Sequence, residues 1–240
     1  MNWSRNKKEL EENGYTVLSD LYSNTELDQI IRCIGNSERN GSSFLKSKEL
    51  FAIRQLVKNI PELADLLFNQ NMLALITEFA GPEYFLTKAI YFDKPKESNW
   101  FVSYHQDLSI SVDKKVDCLG YANWTVKKGQ FGVQPPIQIL EDTITLRIHL
   151  DATNEDNGAL KVIPGSHLDG VIRLDSEFMP RKDGVVCEVG KGGVMIMKPL
   201  ILHASSKTTN GRQRRVIHLE FNQVKLTETM KWLEFREIFS

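Results

Sequence analysis

Five histidines, His105, His149, His167, His203 and His218, are the imidazoles available to this chain of 240 residues. Two of them stand in His-x-Asp pairs, His105-Gln106-Asp107 and His149-Leu150-Asp151. Side chains two apart on an extended strand point the same way. One imidazole and one carboxylate can therefore reach a single metal ion from one strand end. A distant third ligand would complete a two-His-one-carboxylate set, which leaves one face of Fe(II) open for a cosubstrate and oxygen. A bare His-x-Asp also fits a surface pair or a hydrogen-bonded core histidine, so context must decide. His149 and Asp151 lie inside a regular strand pattern. His105 and Asp107 close a short apolar run and open an irregular stretch, where ligands can face a cavity mouth. That context favours His105 and Asp107 and leaves the other pair open.

The stretch 194–221, VMIMKPLILHASSKTTNGRQRRVIHLEF, supplies a candidate for the distant ligand. Two apolar runs flank a polar turn, so two adjacent strands are expected. The first ends in His203 and the second opens with Arg214 and Arg215. A metal ligand would then sit beside a fixed cation, a combination suited to a metal that binds a small dicarboxylate.

The elements that must hold these residues change character along the chain. Helical spacing marks 6–12, 24–33, 48–59 and 61–80, with a β-type run at 15–18 and a polar loop at 36–43. From Phe85 short strands are expected at 85–92, 100–105, 143–151, 160–163, 185–189 and 193–197, separated by Gly and Asn turns. The segment 118–136 reads as a long loop with one strand. This pattern predicts a barrel or jelly roll with helices over one face, in one domain spanning 1–240. Its helical part covers about 1–84 and its β core about 85–225.

Strand parity sharpens the picture. Ile144, Leu146, Ile148 and Leu150 alternate with Thr145, Arg147, His149 and Asp151. Ile217, Leu219 and Phe221 alternate with His218 and Glu220, on the same parity as Arg214. The apolar faces should press on the helices and the polar faces should turn inward. A polar interior is costly unless it forms a site. A buried Arg147 needs a partner, either an internal carboxylate such as Glu220 or an anionic group on a substrate. Trp124 and Gln134, in the long loop, are candidates for the substrate mouth, with core filling as the plainer reading.

Composition narrows the function. Lys and Arg total 30 against 31 Asp and Glu, a net charge of -1, so nothing favours nucleic acid or an anionic membrane. The N-terminal MNWSRNKKELEENG is polar and lacks the apolar run of a secretory leader. Cys33, Cys118 and Cys187 are scattered and odd in number, which argues for a reducing, cytoplasmic setting. A small-molecule substrate is the expected partner, with neither nucleic acid nor membrane.

Several segments together resemble one family. FDKP at 92–95, YHQD at 104–107, NGALKVIPGSH at 157–167 and LHASSKTTNGRQRR at 202–215 are similar, in order, to the phytanoyl-CoA dioxygenase family of Fe(II)/2-oxoglutarate oxygenases. GYTVLSDLYSNTELDQI at 14–30 resembles the family's opening. The resemblance implies a mainly β fold, a cupin-like double-stranded β-helix or jelly roll, with N-terminal helices on its major sheet. It implies that His105, Asp107 and His203 bind Fe(II). It further implies that Arg214, aided by Ser205 and Thr145, binds the cosubstrate 2-oxoglutarate, and that O2 is consumed with release of succinate and CO2. Arg212 and Arg215 remain rivals to Arg214, because the turn at 210–211 can shift the register. The retained Asp107 favours hydroxylation over halogenation. The alternative is a non-catalytic jelly-roll protein that keeps a ligand pocket.

Overall fold

The structure is a computed structural model and describes residues 2–37, 44–46, 51–94, 101–127, 129–174, 183–209 and 211–239. Most of the expected loop 36–43, the start of the expected helix 48–59, Pro95, Trp100, Lys128 and Asn210 lie outside the described residues. Among the described residues the α-helices are α1 (Ser4–Asn13), α2 (Asn24–Asn36), α3 (Leu56–Asn59), α4 (Leu63–Leu67), α5 (Gln70–Phe79) and α6 (Ile137–Asp142). The strands of the first half are β1 (Tyr15–Leu18), β2 (Phe44–Lys46), β3 (Phe51–Arg54), β4 (Phe85–Lys94), β5 (Val102–His105), β6 (Ile110–Val112), β7 (Ala122–Lys127) and β8 (Gln130–Gln134). Those of the second half are β9 (Ile144–His149), β10 (Leu160–Val162), β11 (Val185–Cys187), β12 (Val194–Met197), β13 (His203–Ser205) and β14 (Arg214–Asn222).

Apolar alternation dictates the layers. A one-residue slip in β9 would bury its polar set against the helices and turn its apolar set inward, so the register is strongly fixed. Ile144, Leu146, Ile148 and Leu150 join Ile217, Leu219 and Phe221 in the main core. Leu27 and Ile30 of α2, Leu63 and Leu67 of α4 and Met72 and Leu75 of α5 press on them from the helical side. Each such side chain, fully buried, contributes roughly 1.5–3 kcal/mol. A capping box of Ser23 and Glu26 fixes the start of α2. The major sheet runs β1-β12-β9-β14-β4-β3-β2. A smaller sheet, β11-β10-β13-β5, faces its polar side, and a third, β6-β8-β7, flanks the pair. The fold is a double-stranded β-helix with helices on its larger sheet.

Four sequence expectations are corrected. Residues 51–54, assigned to a helix, form β3, which pairs with β4 through Ala52↔Phe92 and Arg54↔Ile90. Its LFAIRQLV pattern satisfies helical and extended spacing alike, and the open edge of β4 decides. The helix expected over 61–80 is two helices, broken where the Asn69 side chain accepts from the Met72 amide and caps α5. The expected loop 118–136 holds two strands, β7 and β8, which pair through Val126↔Phe131 and Lys127↔Gln130. The two expected adjacent strands of 194–221 are three strands on two sheets. β12 and β14 lie in the major sheet with β9 between them, and β13 lies in the smaller one.

Candidate metal centre and its cavity

His105 ends β5 and His203 opens β13, and the two pair directly across the antiparallel ladder. Their ring centroids are 4.2 Å apart. Asp107 follows two residues after His105, tied down by its amide donating to the Pro199 carbonyl at 2.9 Å. Between them Gln106 points the opposite way, as strand alternation requires. Its amide nitrogen donates to the carbonyls of Leu200 and Gly170, and its oxygen accepts from the Ile172 amide. The His-x-Asp segment is thus anchored by its middle residue while both outer side chains line the cavity.

The carboxylate of Asp107 lies 3.9 Å from His105 Nε2 and 3.7 Å from His203 Nε2. One ligand atom from each of the three falls within 4.8 Å of the others. The tautomers are set by the far ring nitrogens. His105 Nδ1 lies 2.9 Å from the Ser103 carbonyl, and His203 Nδ1 lies 2.9 Å from the Ile201 carbonyl. A carbonyl only accepts, so both Nδ1 atoms carry the proton and both Nε2 atoms present bare lone pairs. Burial pushes His203 down to about 4, against the pull of Asp107. Burial opposes the Asp107 charge, but His203, His218, Lys88 and His105 together hold its carboxyl down to about 2. Two imidazoles and one carboxylate match the donor set of a facial-triad Fe(II) site.

A second group, Asp107, His218 and Glu220, is just as close-set. Its ring nitrogens are occupied. Arg147 Nη1 lies 3.1 Å from His218 Nδ1, and Nε2 lies 3.0 Å from Glu220 Oε1. Arginine only donates, so Nδ1 accepts and Nε2–H donates to Glu220. No lone pair of His218 is left for a metal, and the donor chemistry singles out the first group. The rival pair His149 and Asp151 is not gathered round a common point. His149 Nδ1 meets Thr153 Oγ1 at 3.0 Å, and the Asp151 carboxylate is held by Arg215 at 2.7 and 2.8 Å.

The three residues line a cavity of about 340 Å³ between the sheets. Arg147, His203, Ser205, Arg214, His218 and Glu220 share its wall. Arg214 is buried and donates from Nη1 to the Gly158 carbonyl. Gly158 has φ +79, and a Cβ there would sit 2.7 Å from the Ser206 carbonyl oxygen, so only glycine fits this turn. Burial and then the nearby Arg147 depress the Arg214 guanidinium to about 9, which leaves it a cation at neutral pH. Arg215 faces Asp151 instead, so of these two neighbours only Arg214 reaches the cavity. Arg212 is not among the lining residues.

Three candidates from the sequence are not in the cavity wall. Thr145 turns inward two residues before Arg147, with its hydroxyl buried and unpartnered, but does not line the cavity. Trp124 packs on the cluster formed by Ile110, Val133 and Trp232. Gln134 accepts from Asn123 at 2.7 Å. Their hairpin contributes Thr125, Lys127, Gln130 and Phe131 to the wall instead. Lys88 and Arg54 were missed. Lys88 is the one charge within the run 85–92, FLTKAIYF, which is a readable signal. Arg54 was hidden by the helical reading of 48–59.

A sequence profile of the phytanoyl-CoA dioxygenase family matches residues 10–216. A 2-aminoethylphosphonate dioxygenase from Uncultured bacterium HF130_AEPn_1 is 27% identical over 104 residues, 38% of this chain and 37% of that protein. Among solved structures, EctD from S. alaskensis in its apoform is 20% identical with a TM-score of 0.72, over 94% of this chain and 79% of that one. HygX from Streptomyces hygroscopicus, with nickel and 2-oxoglutarate bound, is 14% identical with a TM-score of 0.66, over 95% and 90%. EvdMO1 is 20% identical with a TM-score of 0.66, over 91% of this chain and 49% of that one. The chain thus spans about half of EvdMO1, and its match covers little more than a third of the curated relative. Among the described residues no helix is long and apolar enough to cross a membrane.

Proposed function

The chain belongs to the phytanoyl-CoA dioxygenase family, and from that premise we propose that it is an Fe(II)- and 2-oxoglutarate-dependent dioxygenase that hydroxylates a small molecule. The observation that carries this reading is the convergence of two bare imidazole nitrogens and one carboxylate at the wall of a cavity that also contains Arg214. The metal and 2-oxoglutarate bound in HygX, on the same fold, support it. So does the likeness to a 2-aminoethylphosphonate dioxygenase.

His105, Asp107 and His203 hold the Fe(II). With the metal held there, O2 would be the oxidant: one of its atoms would go to the substrate hydroxyl and the other to succinate, formed as 2-oxoglutarate is oxidised with loss of CO2. The protein's own part is to bind, orient and exclude water. The Ser103 and Ile201 carbonyls keep both imidazoles in the ligating tautomer. Gln106 fixes the angle at which His105 and Asp107 present themselves. Arg214 neutralises the remote carboxylate of 2-oxoglutarate through charge-assisted hydrogen bonds, with Ser205 beside it. The network of Arg147, His218, Glu220 and Lys88 lines the same cavity beside Asp107.

The test is anaerobic titration of the protein with Fe(II) and then 2-oxoglutarate. A weak visible charge-transfer band is expected on adding the second component, and Asp107→Ala should abolish it. Metal and 2-oxoglutarate binding with no succinate formed against any candidate substrate would favour a non-catalytic binding protein.

A further inference from the structure

We infer that the substrate carries an anionic group, a carboxylate or a phosphorus oxyanion, that docks between Arg147 and Arg54 with Lys127 at the mouth. This rests on the oxygenase reading, because it assigns Arg214 to the cosubstrate.

The two guanidiniums belong to one row of the major sheet. Arg54 pairs with Ile90, Ile90 with His218, His218 with Arg147, and Arg147 with Met195. Arg54, Ile90, His218 and Arg147 all line the cavity. Three strand spacings of about 4.8 Å separate the arginines, so their Cα atoms stand roughly 14 Å apart and their side chains flank the floor between them.

Their charges lack opposites. The carboxylates in the cavity wall are Asp107 and Glu220. Glu220 is taken by Lys88 at 2.7 Å and by His218 at 3.0 Å. The internal pair expected between Arg147 and Glu220 is therefore not formed. Among the described residues Arg147 hydrogen-bonds only His218, and its Nε is buried without a partner. Asp107 bears on Arg147 electrostatically, but that carboxylate belongs to the metal in the oxygenase reading. Among the described residues neither Arg54 nor Lys127 has an ion-pair partner. A divalent ion, Asp107, the 2-oxoglutarate dianion and Arg214 sum to zero charge. Arg147, Arg54 and Lys127 then remain as unopposed cations around the space left for the substrate. A buried guanidinium is costly unless paired, and its fork matches two-oxygen anions. The cavity is at the small end for ligand sites, which suits a cosubstrate plus a small acid.

The experiment is calorimetric titration of the full chain, loaded with Mn(II) and 2-oxoglutarate, with methylphosphonate and, separately, with acetate. Saturable binding of at least one is expected, and the tighter of the two identifies the oxyanion class. Arg147→Met should weaken it tenfold or more and Arg54→Met several-fold, with 2-oxoglutarate affinity unchanged in both. Arg147→Lys, which keeps the charge and loses the fork, should fall between, and it carries the test if Arg147→Met does not fold. Absence of saturable binding, or equal affinity in the arginine variants, overturns the inference. Loss of 2-oxoglutarate rather than of the probe in Arg147→Met would make Arg147 a cosubstrate ligand and overturn it too. If the wild type binds neither Mn(II) nor 2-oxoglutarate, it is the oxygenase reading that fails. The same probes against the metal-free chain then still test the arginine pair.

Discussion

At the scale of single residues, the proposed metal site turns on Asp107. It is close enough to pair with either His105 and His203 or His218 and Glu220, and free lone pairs favour the first. Alanine at His105, Asp107 or His203 should therefore abolish Mn(II) binding, measured by calorimetry, while His149→Ala keeps it; the reverse pattern would move the metal to the other His-x-Asp pair. Arg214 and Arg215 are told apart by partners rather than by position. A charged hydrogen bond is worth roughly 1.5–3 kcal/mol, so Arg214→Ala should weaken 2-oxoglutarate about ten- to a hundredfold with metal affinity retained. Arg215 grips Asp151 through two side-chain hydrogen bonds, and both side chains are 21% exposed. Arg215→Ala should leave 2-oxoglutarate binding alone and lower stability by about 1 kcal/mol, discounted for that exposure. Weakened cosubstrate in Arg215→Ala with none in Arg214→Ala would reverse the two roles.

At the scale of elements, β9 and β14 were readable because one face of each meets the helices and the other a cavity, which leaves strict alternation in the sequence. Arg147, His218 and Glu220 could be placed inward on that ground alone. β3 was not readable. Its apolar residues suit a helix equally well, and pairing with β4, forty residues on, decides the matter. The β7–β8 hairpin was obscured by aromatic residues that pack on a secondary cluster rather than alternate about a single core. The C-terminal segment gave no signal at all, although Glu234 accepts from the Ala89 amide of β4 at 2.9 Å. Burial pushes the Glu234 carboxyl up to about 7, with Lys88 and the Ala89 amide opposing. A carboxyl raised in the folded state contributes stability that is complete below its unfolded pKa and lost as pH rises through the folded one. Stability should therefore fall between about pH 4.5 and 7, by up to roughly 3 kcal/mol. Glu234→Gln keeps the accepting oxygen and removes the titration. Its melting temperature should vary less than that of the wild type across this window, and parallel profiles would exclude Glu234 as the cause.

At the scale of the whole molecule, the helices and the major sheet share one apolar core, and the site lies on the sheet's other face. Leu75 of α5 and Leu219 of β14 are both fully buried in that core. The sequence divided the chain near residue 84 into a helical part and a β part. Yet β1, β2 and β3, from the first part, are strands of the major sheet. A boundary there would cut hydrogen-bonded ladders and expose the apolar faces of β9 and β14 together. We therefore expect a single cooperative unfolding transition, with far-UV circular dichroism and tryptophan fluorescence coincident. Leu75→Ala and Leu219→Ala should each cost about 2–5 kcal/mol, and each should move both probes together. Two separated transitions, with Leu75→Ala shifting one and Leu219→Ala the other, would mean that the helices fold apart from the sheet. Because metal and cosubstrate bind only the assembled chamber, Mn(II) with 2-oxoglutarate should raise the same single transition by mass action. The size of that rise should shrink in Arg214→Ala, whose core is intact, and persist in Leu75→Ala, whose site is intact.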